Sequence, residues 1–258
     1  MQPMTSAGAD APTPEELAAH ISVQFDRWGR RVVAPASCEI TPGSDLARDG
    51  SRKLPGGRVL GKVVWRALAT AGEHAAAAGH LLRAYDNAVF AKPNLTWART
   101  TLVGAAKALY VLDPDDADER RVRALRLLRA ESADVHRLIK VWQGEGALDQ
   151  ELSKAADELQ QDSEAALVSM QQKPGSQISE SALLEAVAHH LDGGPANPLA
   201  RVQELWNTTS GIAHARTWAW DTGLEDSTGA EQVVRIWILP IDLMYSAWEL
   251  WNQRRGKG

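Results

Sequence analysis

Four polar residues, Gln203, Asn207, Ser210 and His214, recur at intervals of four, three and four in a segment opened by Asn197-Pro198. On a helix that spacing places all four on one side. Ser210 and His214 then lie one turn apart, close enough to interact, and a histidine so placed can carry protons as a general acid or base. Trp206 stands beside the row, while Leu205 and Ile212 mark a separate apolar side. His214 and Ser210 are therefore candidate catalytic residues, and Gln203, Trp206 and Asn207 candidate ligand contacts.

Two charged residues are potential partners for this row. Arg99 adjoins Ala98, a position read as buried near the start of its helix. A half-buried guanidinium demands an anion, either a carboxylate or a phosphate. Asp242 falls in the middle of the apolar last helix, where an unpaired charge is costly. Arg99 joins the candidate catalytic set and Asp242 the ligand-binding set. A structural reading competes: an Arg99–Asp242 or Asp242–His214 pair would satisfy the charges without chemistry. The polar row could then be an exposed face, with His214 placed at a helix C-terminus by the dipole.

Other chemistry is missing from the sequence. It contains no Gly-rich phosphate loop, CxxC, HExxH or GxSxG. The seven histidines form no recognised ligand pattern; Glu16/His20 and Glu185/His189 are Glu-x-x-x-His pairs, not the Glu-x-x-His of di-iron bundles. No metal site is assigned and the cofactor is unknown. Arg120, Arg121, Arg123, Arg126 and Arg129 could face phosphate, but their phase opposite Leu125 and Leu128 reads as a solvated, ion-paired helix face.

The elements that must position these groups are helical. Thr13-Pro14-Glu15-Glu16 combines an N-cap, a first-turn proline and a capping-box glutamate, predicting a helix to about residue 33. Residues 1–12 read as a disordered lead and 35–57 as a long loop. A three-four periodicity predicts a helix over residues 58–89, and Asn94 reads as the cap of the next. Asp113-Pro114 restarts the chain, and the seam of Leu125, Leu128, Ser132, Val135, Ile139 and Trp142 predicts a helix packed along its length. Further helices are expected over 148–170, 180–191, 198–215 and 231–254, the last with a kink at Pro240. The expectation is an all-α fold, an antiparallel bundle of about eight helices forming one domain over residues 13–258.

Composition narrows the class. A net charge of −5 gives no global reason to expect nucleic acid or membrane binding. Cys38 is the only cysteine, which excludes an intramolecular disulfide and suits a reducing, cytoplasmic setting. Residues 233–251 are apolar but carry Arg235, Pro240, Asp242 and Glu249, so they read as a buried helix, with no membrane partner expected. That helix could equally form a homodimer interface. Six of the ten tryptophans lie beyond residue 205, and they read first as core residues.

The segment WNTTSGIAHA resembles uncharacterised bacterial all-helical proteins related to the HEPN and abortive-infection group. The segment WARTTLVGAAKALYVLDP, followed by ERRVRAL, is similar to hypothetical proteins of high-GC bacteria. The first resemblance implies an RNA-cleaving toxin or defence effector, in which His214 would be the general acid or base and Arg99 would hold the phosphate. The family spacing of an arginine, four to six residues and a histidine is met by Arg129 and His136. Three functional expectations remain: a helical module whose Trp-flanked cleft binds a small molecule or partner, a ribonuclease acting on RNA, and a biosynthetic enzyme with its site inside the bundle.

Overall fold

A computed structural model describes residues 12–84, 91–142, 147–191, 197–214, 216 and 229–257. Among these residues the chain is all-α, as expected. The helices are α1 (Pro14–Val33), α2 (Asp45–Ser51), α3 (Leu60–Ala84), α4 (Ala91–Leu112), α5 (Ala117–Trp142), α6 (Ala147–Ser169), α7 (Glu180–Val187), α8 (Pro198–Ala213) and α9 (Gly229–Arg254). No described helix is long and apolar enough to cross a membrane. Residues 1–11 and 85–90, parts of the expected lead and of the helix expected over 58–89, lie outside the described residues.

The start of α1 follows from its first four residues. Thr13 Oγ1 accepts from the Glu16 amide at 3.2 Å and Glu16 Oε2 accepts from the Thr13 amide at 2.9 Å, so two orphan donors are satisfied reciprocally. Ile21, Phe25 and Trp28 recur on one face of α1 and are buried against α3. The approach is close because α3 offers glycines there. A Cβ on Gly79 would stand 2.5 Å from Phe25 Cβ, and one on Gly72 would stand 2.5 Å from Val32 Cγ1.

Helix α4 is the centre of the molecule, packing on α3, α5, α7, α8 and α9. It is buried nearly all round between Thr101 and Leu112, which is why its sequence lacks a polar face. Asn94 does not cap this helix. It lies inside α4, fully buried, and its Oδ1 accepts from Trp237 Nε1 of α9 at 3.2 Å. Helix α9 continues through Pro240 as one helix. Its buried Ile236, Trp237, Met244 and Trp251 join the central core, so its apolar face packs within this chain. The core reading of the tryptophans holds for Trp28, Trp237, Trp248 and Trp251, with Phe25–Trp237 and Trp28–Trp248 meeting edge to face.

The expected loop over 35–57 is a folded segment instead. It contains α2 and two short 3-10 turns, and it buries Leu46, Asp49 and Leu54. Arginines hold it. Arg120 grips Asp49, Arg121 donates to the carbonyls of Arg52 and Lys53, and Arg255 donates to those of Ala36 and Ser37. The arginine run of α5 is therefore ion-paired, as read from sequence, but not a solvated face. Arg120 is buried, Arg123 donates to Asp113 and to the Tyr110 carbonyl, and Arg129 pairs with Glu164 of α6 at 3.0 Å.

Candidate functional site

The structure separates the polar row from the arginine meant to serve it. Val202, Leu205, Thr208, Thr209 and Ile212 form the buried side of α8. Gln203 and Ser210 fall on its half-buried flank, and Asn207 and His214 are exposed. His214 is the residue at the C-terminal cap, its amide donating to Ser210 O at 3.1 Å. No hydrogen bond or ion pair among the described residues connects Asn207, Ser210 or His214 with Arg99.

Arg99 and Trp206 do come together, through a residue not singled out from the sequence. Glu180 Oε2 accepts from Arg99 NH2 at 2.5 Å and from Trp206 Nε1 at 3.0 Å. Ser179 caps α7, its Oγ accepting from the Ala182 amide at 3.2 Å, and this sets Glu180 in the first turn. The half-buried arginine thus has the carboxylate that its type required. One donor remains unsatisfied: Arg99 Nε is buried without a partner.

Arg99 lines a cleft of about 330 Å3 between α3, α4 and α5, with Glu180 of α7 on its wall. Val64, Val103, Leu127 and Leu128 make it apolar, and Arg58, Arg66, Arg99 and Lys107 bring four cations to it. Among the described residues two carboxylates line it, and each is already engaged. Glu180 holds Arg99, and Glu131 lies 3.5 Å from Lys107. Among the described residues, the Arg58 guanidinium donates only to the Pro55 carbonyl, at 3.1 Å, and Arg66 has no hydrogen bond or ion pair. Lys107, Glu131 and Glu180 also line an adjoining hollow of about 550 Å3 that runs past Ser179 and Leu183. An apolar wall with a few convergent polar groups is the ordinary chemistry of a small-molecule pocket.

Close approach of α3 and α4 shapes the cleft floor. Gly104 lines it, and a Cβ there would lie 2.8 Å from the Ala67 carbonyl oxygen, with backbone unable to give way cheaply.

Asp242 meets neither Arg99 nor His214. Its residue surface is exposed on α9, yet the protein atoms around the carboxyl push its pKa up to about 6, and nearby His20 acts in the opposite direction. The folded state therefore holds this proton more tightly than the unfolded chain, whose value is near 3.8. Stability contributed by the protonated form is complete below the lower value and is lost as pH rises through the higher one. Thermal melts of Asp242→Asn should accordingly match wild type near pH 4 and exceed it above about pH 7. Equal melting temperatures at both ends would contradict this account of Asp242.

The remaining sequence candidates have local partners. His20 bonds Gln24 at 3.3 Å, and His136 Nε2 meets Asp157 of α6 at 2.8 Å. Arg129 and His136 both turn toward α6. His189 faces Asp113, together with His190. Among the described residues, these three are the group of histidines and carboxylates close enough to share a metal ion.

The fold and cleft define an all-helical protein with a cationic, apolar-walled pocket beside its central helix. Compared with protein-family models, curated proteins and solved structures, the chain matches none of them.

Proposed function

We propose that this chain is a helical binding module for a small molecule with an anionic group and an apolar body, taken into the cleft between α3, α4 and α5. The observation that carries this reading is the imbalance of charge in an apolar-walled space. Four cations line the cleft, and its two carboxylates are committed to Arg99 and Lys107. Arg58 and Arg66 are left to meet an anion brought from outside. Val64, Val103, Leu127 and Leu128 would cover the apolar body, at about 25 cal/mol per Å2 of apolar surface removed from water. Glu180 and Trp206 act behind Arg99, holding its guanidinium at the wall. Arg99 Nε is buried without a partner, at a cost of roughly 1–3 kcal/mol.

Phenyl phosphate carries both features and is a suitable probe for calorimetry. Arg66 has no hydrogen bond or ion pair among the described residues, so Arg66→Gln should leave the fold intact. Loss of one charge-assisted hydrogen bond should weaken phenyl phosphate binding about tenfold. His214→Ala should not change it. Affinity unaltered by Arg66→Gln would reject this reading. Cleavage of RNA that disappears in His214→Ala would replace it with the ribonuclease reading.

A further inference from the structure

The geometry points to a second site, independent of the cleft: a divalent transition-metal ion, with Zn2+ the one to test, bound by Asp113, His189 and His190. Asp113 is the first residue beyond α4, and its amide donates to Leu109 O at 2.8 Å, which fixes the backbone at the helix end. The histidines are neighbours in the 3-10 turn Ala188–Leu191 that continues α7. Three residues per turn should send adjacent side chains about 120° apart. Here both imidazoles converge instead. His190 Nε2 lies 3.0 Å and His189 Nε2 lies 3.4 Å from the same oxygen, Asp113 Oδ1, with ring centroids 4.2 Å apart.

Those separations are near what a metal requires. Ligands at roughly 2.0–2.1 Å from a tetrahedral ion stand about 3.3 Å from one another. Two of the three donor separations are close to that value, and all three donor atoms lie within 4.8 Å of one another. The histidine rings would have to approach by at most about 1.5 Å to close the last edge. Two imidazoles and a carboxylate, without thiolates, select zinc, nickel or copper over calcium and magnesium. Three protein ligands leave a fourth position for water, and the exposed His189 gives the ion a route in.

Outer contacts hold this set in place, as metal ligands usually require. Arg123 NH1 donates to Asp113 Oδ2 at 3.3 Å and to Tyr110 O at 2.9 Å, leaving Oδ1 turned to the histidines. Its charge opposes a nearby cation, but Glu119 lies 3.2 Å from Arg123 Nε and offsets it. Ser246 Oγ donates to His190 O at 3.3 Å, tying the turn to α9. A bound ion would therefore join the ends of α4 and α7, while Arg99 and Glu180 join the same helices farther back.

Calorimetry on the full chain, dialysed against chelator and then titrated with Zn2+, tests the site. One ion per chain is expected, with His189→Gln and His190→Gln each weakening binding at least about tenfold. Co2+ supplies a second readout, since a tetrahedral site gives intense visible bands, which should vanish in His189→Gln. That residue is exposed, so circular dichroism should show the fold unchanged. Absence of Zn2+ binding in the wild type, or binding equal in the wild type and the His189→Gln/His190→Gln double variant, would overturn the proposal and leave a hydrogen-bonded cluster alone.

Discussion

Asp49→Ala is expected to lower folding stability by about 3–5 kcal/mol, the usual result of stranding one partner of a buried ion pair. Arg120 Nε donates to Asp49 Oδ2 at 2.7 Å and its NH2 to Oδ1 at 3.0 Å, a bidentate fork between side chains that are each 3% exposed. The third guanidinium nitrogen donates to the carbonyls of Pro114 and Asp115, so the arginine could not leave without breaking the α4–α5 connection. Removing the carboxylate leaves a buried charge and releases α2 from α5. By contrast, Asp45→Ala should cost the exposed pair with Arg48 very little, because surface pairs contribute about 0–1 kcal/mol; any larger loss would come from its second bond, to Arg254. Urea denaturation measures the difference. An Asp49→Ala loss below about 1 kcal/mol would show that the pair does not hold the segment.

Trp237→Ala should be comparably damaging, at about 3–5 kcal/mol. The indole is fully buried, meets Phe25 edge-on with centroids 4.8 Å apart, and donates to Asn94. Truncation opens a large cavity between α1, α4 and α9 and removes the indole donor from a buried amide. Trp237→Phe separates these effects, since it retains much of the volume and loses only the hydrogen bond and part of the ring. Its cost should fall to roughly 1–3 kcal/mol. Equal losses in the two variants would mean that the hydrogen bond, not the packing, carries the contact.

Local signals in the sequence were strong where a helix end is fixed by its own residues. The Thr13 capping box and the Asn197-Pro198 start both appear in the structure at the expected places. What failed depended on distant partners. Residues 45–51 show no apolar periodicity because α2 is only seven residues long and is fixed by Arg120 from another helix. Asn94 resembles a cap by type and by its place after Pro93. Its partner, however, is an indole 143 positions away.

The candidate site divides in the same way. Arg99 was legible because a cation beside a buried alanine needs an anion. Glu180 was not, because a glutamate after a capping serine is already accounted for by the helix dipole. The bond between them spans 81 positions. Arg66 carries no signal of its own in the sequence, and only the folded arrangement sets it beside three other cations. Along its own helix His189 has Glu185 at Glu-x-x-x-His spacing, whereas the carboxylate that it meets with His190 comes from the end of α4.

A crystal structure of the protein grown with phenyl phosphate tests the central claim most directly. The cleft account predicts phosphate oxygens within hydrogen-bond reach of Arg58 and Arg66, with the phenyl ring against Val103 and Leu128. A phosphate resting instead on the outer row of Asn207 and His214, or a cleft without ligand at saturating concentration, would contradict it.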